Sequence, residues 1–269
     1  MGLFGKRAAD FRSVHVPEDA ATIDDVVSTL RRVADSAMSS ESRIGYFAAL
    51  YLRMTLGVRE KTKGRSYFAD PARMEQLDVN FANYYFRALR NYLVSGGRVA
   101  AAWRIGFDFC ASSKLTILQH LYLGLSAHQL LDLGQAAAET SPGLKIQGLR
   151  RDFEKVNEIV AELMEDTDHA VGRVSPLIGL WDKVAAHPWA LGNMFMIRAA
   201  REMAWGAAVD LAGAESPRDS LEIVDRLDRD TVAISRRIAQ PFFPIGAVAR
   251  VIRASERMKV SDGIRALIP

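Results

Sequence analysis

The stretch 118–134, LQHLYLGLSAHQLLDLG, decides the fold of this chain. Its apolar residues repeat with helical spacing, as expected of a buried helix, yet His120, His128 and Asp132 interrupt them. Extending the pattern outward predicts a helix over roughly 113–138. Several polar residues within it would carry a desolvation cost in lipid, so we interpret it as the centre of a helical protein rather than as a membrane span.

The remaining sequence also favours helices. Thr22 and Asp25 have the spacing of a capping box, Asp70 before Pro71 is typical of a helix start, and the prolines of the PFFP stretch at 241–244 force a break between the last helices. No pair of alternating segments joined by a two-residue turn predicts a hairpin. We therefore expect an all-α, single-domain bundle of about nine or ten helices around the central helix. The domain would span 1–269, with a flexible N-terminus (1–20) and a flexible C-terminal tail (259–269).

Composition narrows the classes of function. The 269 residues are 49% hydrophobic and carry a net charge of only +3, which is enough for a sizeable core and too little to indicate a nucleic-acid partner. The one cysteine excludes a disulfide framework within the chain, and no secretory signal is seen at the N-terminus. These features predict a cytoplasmic protein. No glycine-rich phosphate-binding motif occurs, so no nucleotide cofactor is expected.

Basic residues are unevenly distributed. Residues 236–269 contain seven Lys or Arg against two acidic residues, a local net charge of 7 − 2 = +5. Two interpretations stay open: a solvated end of the last amphipathic helices, or a surface for an anionic partner.

Four segments together resemble an uncharacterised family of bacterial and fungal all-helical proteins, known only as a domain of unknown function. They are FADPARMEQLDVNFANYYFRAL (68–89), LQHLYLGLSAHQLLDLG (118–134), DFEKVNEIV (152–160) and MIRAAREMAW (196–205). The resemblance covers most of 45–212. It draws attention to the residues that match recurring motifs: Asp78, Asn83, His120, His128, Asp132 and Arg201. Ser126 departs from the family, which usually has Asn there.

The central helix supplies the candidate site. His128 and Asp132 are four residues apart, so both reach one side of a helix and offer a nitrogen and a carboxylate suited to Zn, Fe or Mn. His120 lies eight residues earlier, too far along a straight helix to share that ion. The small residues Gly124 and Ala127 lie between His120 and His128 and leave room there for a ligand or a neighbouring helix. Further ligands would come from facing helices, and the candidates are Asp78, Asp182, His187 and Glu202.

We expect an enzyme acting on a small, largely apolar molecule. His128 and Asp132 would bind a divalent metal for hydrolysis or oxygen chemistry, with His120, Asp78 and Arg201 as catalytic residues and Arg201 holding an acidic group of the substrate. A metal-free acid/base cyclase, isomerase or lyase is the alternative, as is a carrier of an apolar ligand. His128 and Asp132 could also be a buried structural pair, and Arg201 could form an internal salt bridge to Asp78 or Asp132.

Overall fold

The protein is seen here in a computed structural model that describes residues 11, 13–63, 67–94, 97–178 and 189–268, without the side chains of 164–166 and 189–196. Within these ranges every regular element is helical, which confirms the all-α prediction. Six α-helices cover the first half: α1 (Ile23–Ser39), α2 (Ile44–Lys63), α3 (Pro71–Leu93), α4 (Ala101–Cys110), α5 (Ile117–Ser126) and α6 (Leu133–Thr140). Five follow: α7 (Arg150–Val174), α8 (Trp189–Ala212), α9 (Pro217–Ala239), α10 (Ile245–Ser255) and α11 (Val260–Leu267).

Local sequence sets the helix starts. Thr22 and Asp25 form the expected capping box before α1, in which each side chain accepts from the other residue's backbone N–H. Asp70 accepts from the backbone N–H of Arg73 and precedes Pro71, as predicted for α3. Ser216 caps α9 in the same manner. These caps satisfy amides that have no partner inside the helix, which is why the boundaries could be read from the sequence.

The central helix differs from its prediction. It begins at Ile117 rather than near residue 113, because Thr116 and Gln119 form a second capping box. It is also not one straight α-helix: a π-helical segment, Ala127–Asp132, separates α5 from α6, and the backbone N–H of Leu133 reaches the carbonyl of His128 five residues back. The three pieces are called the central segment below.

Other helices surround the central segment. It packs against α2, α3, α4, α8 and α9, while α1 packs mainly against α2. Gly124 allows one close approach, since a Cβ there would lie 2.4 Å from the ring of Phe47 on α2. Gly134 allows another, since a Cβ there would lie 2.9 Å from the carbonyl oxygen of Ala204 on α8. The core is therefore built directly against the backbone of the central segment.

The two ends of the chain are tied to this core. The backbone of Ala20 exchanges hydrogen bonds of 2.7 and 3.0 Å with the amide of Asn83, which gives that family-matched residue a structural task. At the other end α11 occupies most of the expected tail, and its residues Ile264 and Leu267 are fully buried. The amphipathic spacing of Val260, Ile264 and Leu267 explains why this stretch folds back onto α1, α2 and α7. Among the described helices, none is both long and apolar enough to cross a membrane.

Candidate functional site

His128 and Asp132 form a hydrogen-bonded pair inside the π-helical segment. Nδ1 of His128 lies 3.1 Å from Oδ2 of Asp132, and both side chains are buried. The indole N–H of Trp103 on α4 donates to the same carboxylate oxygen at 2.9 Å. When Asp132 is ionised, Oδ2 accepts both from Trp103 and from a proton on Nδ1. That tautomer leaves Nε2 as an acceptor.

Nε2 of His128 has no hydrogen-bond partner although it is buried. Aromatic rings hold the imidazole in place: Phe81 stacks on it with centroids 3.5 Å apart, and Tyr51 meets it edge-on at 4.4 Å. A buried nitrogen without a partner carries a free-energy cost, so its presence in a tightly packed site marks a place where a ligand is expected.

The imidazole borders a cavity of about 80 Å³ enclosed mainly by α2, α3, α7 and the central segment. Its wall is mostly aliphatic and aromatic, with polar side chains at a few points. Five polar atoms of the wall are buried without a partner: Tyr51 Oη, Thr55 Oγ1, Asp78 Oδ2, His128 Nε2 and Gln129 Oε1. Convergence of orphaned polar atoms on one apolar cavity is characteristic of a small-molecule site.

Burial dominates the acid–base properties of the cavity. It raises the pKa of Asp78 to about 7, with a smaller contribution from the charge of Glu75. It lowers the pKa of His128 well below its usual range, so this imidazole is neutral near pH 7. It raises the pKa of Asp132, an effect that the hydrogen bond from Trp103 opposes. Two groups of different acidity, Asp78 and His128, therefore face the same space.

Arg201 also borders the cavity and is only 4% exposed. Its Nε donates to Oδ1 of Asn157 at 2.6 Å, its Nη2 donates to the carbonyl of Phe153 at 2.7 Å, and it lies over the Phe153 ring. Neither Asp78 nor Asp132 pairs with it, so the expected internal salt bridge is wrong. Its direct hydrogen-bond partners are neutral oxygens, and burial lowers its pKa to about 10, an effect that the charge of Glu202 opposes.

His120 lies elsewhere, which corrects the expectation of one pocket shared with His128. It borders a separate cavity of about 20 Å³. Phe47 of the neighbouring helix α2 contributes to the wall of each space, and it fills the room that Gly124 was expected to leave for a ligand or a neighbouring helix. Asp132 does not border the main cavity either. Its Oδ2 bonds to Nδ1 of His128, the nitrogen opposite the unpartnered Nε2.

The described residues do not fit the metal site expected from the sequence. Nδ1 of His128 and Oδ2 of Asp132 bond to each other instead of pointing to one position. Across the described side chains no group of three His, Cys, Asp or Glu is arranged to hold an ion. Glu202 is exposed and pairs with Arg150 at 2.8 Å. Asp182 and His187 lie outside the described residues.

The sequence analysis did not assign several residues to the site. Trp103, Tyr51 and Thr55 lie in no motif that points to a site. Tyr51 and Thr55 share one face of α2. Their spacing of four residues on α2 is the signal that could have placed two hydroxyl groups together. Ser126, the departure from the family pattern, does not border the cavity and bonds to Leu123 and Ser235 instead.

Comparison with known proteins places the chain in a family without assigning an activity. No curated protein and no solved structure matches it. One family model covers residues 23–241 and so includes every residue of the cavity wall described above. The chain therefore belongs to the family of unknown function DUF5995.

Proposed function

We propose that this protein is an enzyme that performs metal-free acid/base chemistry on a small, largely apolar molecule, with His128 as the proton acceptor. One observation carries the proposal: His128 borders the cavity, its Nδ1 is bonded to Asp132, and its Nε2 is buried without a partner. A carboxylate that fixes the imidazole tautomer, with the other nitrogen turned to the substrate, is the arrangement that general-base catalysis requires. A cytoplasmic setting is part of the proposal, on the grounds of the cysteine content.

The chemistry follows from the groups that share the cavity. His128 would take a proton from a carbon next to a carbonyl group, and protonated Asp78 would give a proton to the carbonyl oxygen, which forms an enol. Return of a proton at another carbon would complete an isomerisation, and expulsion of a leaving group would complete an elimination. Desolvation supports both roles, because it keeps His128 neutral and raises the pKa of Asp78 to about 7.

Arg201 would orient the substrate in the cavity. Its buried guanidinium is hydrogen-bonded to neutral oxygens of Asn157 and Phe153, so an acidic group of the substrate would supply a directly bonded negative charge. The aliphatic wall formed by residues such as Leu77, Leu133 and Ile159 would receive the rest of the molecule. We infer a compact substrate with a carboxylate and a carbonyl group.

Deuterium exchange tests the proposal without knowledge of the natural substrate. A panel of small keto acids and unsaturated acids would be incubated with the protein in D₂O, and exchange at carbon would be followed by NMR. We expect exchange for a subset of compounds, unaffected by EDTA, and reduced by about 10²-fold or more in His128→Gln. His169→Gln is the matched control, because His169 is exposed on α7.

Other outcomes would support the competing functions. Exchange or turnover that EDTA abolishes, with a metal ion found by elemental mass spectrometry and lost in His128→Ala and Asp132→Ala, would favour metal-assisted hydrolysis or oxygen chemistry. Tight binding without exchange, retained in His128→Gln, would favour a carrier. Equal exchange in wild type and His128→Gln would refute the role of His128.

A further inference from the structure

A second region of the surface combines exposed apolar side chains with unpaired cations. The turn between α9 and α10 presents Phe242 and Phe243, which are 72% and 83% exposed. Val251 and Met258 follow with 51% and 40% exposure. Four of the ten exposed large hydrophobic residues in the described parts of the chain thus fall within 242–258, so their exposure is concentrated there. We call these four residues the apolar patch.

One residue of the apolar patch, Val251, lies on the outer side of α10. Ala247, Val251 and Ala254 are separated by four and three residues and lie on one side of the helix, whereas Ala249 and Ile252 are buried on the other. Helix α10 therefore has two apolar sides, and only one of them packs against the protein. A helix that needed only to cover the core would carry polar residues on its outer side.

Exposed cations occur in the same stretch of the chain as the apolar patch. Five exposed basic residues make no ion pair with any residue that the structure describes: Arg236, Arg237, Arg250, Arg257 and Lys259. The two acidic residues of this region do not offset them. Glu256 is buried and accepts from Ser175 and from the backbone of Ile117, and Asp262 pairs with Arg265 at 2.9 Å.

A groove lies next to the patch. It has a volume of about 350 Å³, and Phe109, Leu115 and Phe243 give it apolar walls. Lys114 and Arg250 border the same groove. Apolar walls beside two cations suit a molecule that carries both a hydrocarbon chain and a negatively charged group.

We propose that the apolar patch and the exposed cations of the same stretch dock the protein on an anionic lipid membrane surface. Phe242 and Phe243 would enter the boundary between headgroups and acyl chains, and the five cations would lie at the level of the phosphates. Nucleic acid is a poorer match, because exposed Phe, Val and Met side chains without an aromatic-lined channel give bases little to stack on. This inference is independent of the proposed enzymatic function.

Vesicle flotation of the full chain tests the proposal. We expect binding to phosphatidylcholine vesicles that contain phosphatidylglycerol, weaker binding to phosphatidylcholine alone, and a decrease with added salt. Phe242→Ser with Phe243→Ser would weaken binding by at least about tenfold, since both rings lose their insertion. Loss of Arg236 and Arg237 by substitution with Ser would weaken it by about fivefold for each cation.

Matched controls separate docking from general surface effects. Leu144→Ser removes a side chain that is 94% exposed on another part of the protein, and Arg229→Ser removes an exposed cation of α9 outside the patch. Both should bind vesicles as the wild type does, and circular dichroism would verify that every variant is folded. No binding to anionic vesicles, equal binding of the patch variants and the wild type, or binding of RNA in preference to vesicles would overturn the proposal.

Discussion

Phe81 of α3 stacks face to face on the imidazole of His128, with centroids 3.5 Å apart and ring planes within 5° of each other. This contact fixes the plane of the imidazole, and the hydrogen bond from Nδ1 to Asp132 fixes its rotation within that plane. The direction of Nε2 is therefore determined by two different elements, α3 and the π-helical segment. Such preorganisation is what a proton acceptor needs, because a misdirected lone pair would lose reactivity.

Trp103→Phe tests whether the indole N–H of Trp103 stabilises the hydrogen-bonded pair of His128 and Asp132. The substitution keeps an aromatic ring but leaves Oδ2 of Asp132 without its indole donor, so we expect a loss of about 1–3 kcal/mol in unfolding free energy by urea denaturation. Trp205→Phe is the control, since no hydrogen bond is described for that indole. Equal effects of the two substitutions would show that ring volume, not the hydrogen bond, matters at Trp103.

Gly124→Ala tests the contact between α2 and the central segment. The new Cβ would lie 2.4 Å from Phe47, whose ring is enclosed by other aromatic side chains, so we expect a destabilisation of about 1–3 kcal/mol in thermal and urea unfolding. Gly172→Ala on α7 has no atom within 4 Å of the new Cβ and should stabilise the protein by about 0.5–1 kcal/mol. Stabilisation by both substitutions would contradict the described packing.

Asp78 should make stability fall as pH rises. Its pKa is raised to about 7 in the folded protein, so between its ordinary pKa and pH 7 the folded state binds the extra proton and is favoured at the lower pH. Between pH 5 and pH 8 the difference in unfolding free energy between wild type and Asp78→Asn should shift by about 2–3 kcal/mol in favour of the variant. Urea denaturation at both values measures it. A difference that does not change with pH would show that Asp78 is ionised in the folded protein.

His120 should make the stability of the protein fall as pH falls. Burial, helped by the charges of Arg43 and Arg253, lowers its pKa to about 3, so the unfolded chain takes up a proton near pH 6.5 that the folded protein excludes. Stability is therefore lost as pH falls through 6.5, by up to about 2 kcal/mol at pH 5. His120→Leu should remove this acid sensitivity, whereas His169→Leu at an exposed position should not. A steeper loss in His120→Leu than in wild type would disprove the assignment.

The sequence led to three of the residues that meet at the cavity. Asp78, His128 and Arg201 matched family motifs, and the structure places all three around the same cavity. The sequence did not reveal that His120 borders a different cavity from His128. The position of a residue along a helix does not tell which neighbouring side chain separates it from another; here that side chain is Phe47. The π-helical segment was also missed. A π-helical turn differs from an α-helical one in its hydrogen bonding, from i to i+5, and leaves the apolar composition of the segment unchanged.

By itself, the sequence determined the all-α class and most helix boundaries, because caps, prolines and helical spacing act over a few residues. It also determined that polar groups would interrupt a buried helix. Only the tertiary structure decided what those groups do. Asp132 accepts a hydrogen bond from Trp103 of α4, and the ring of Phe81 on α3 stacks on His128. Arg201 of α8 borders the same cavity as His128. These contacts join residues distant in the chain, and their geometry depends on how whole helices pack rather than on local preference.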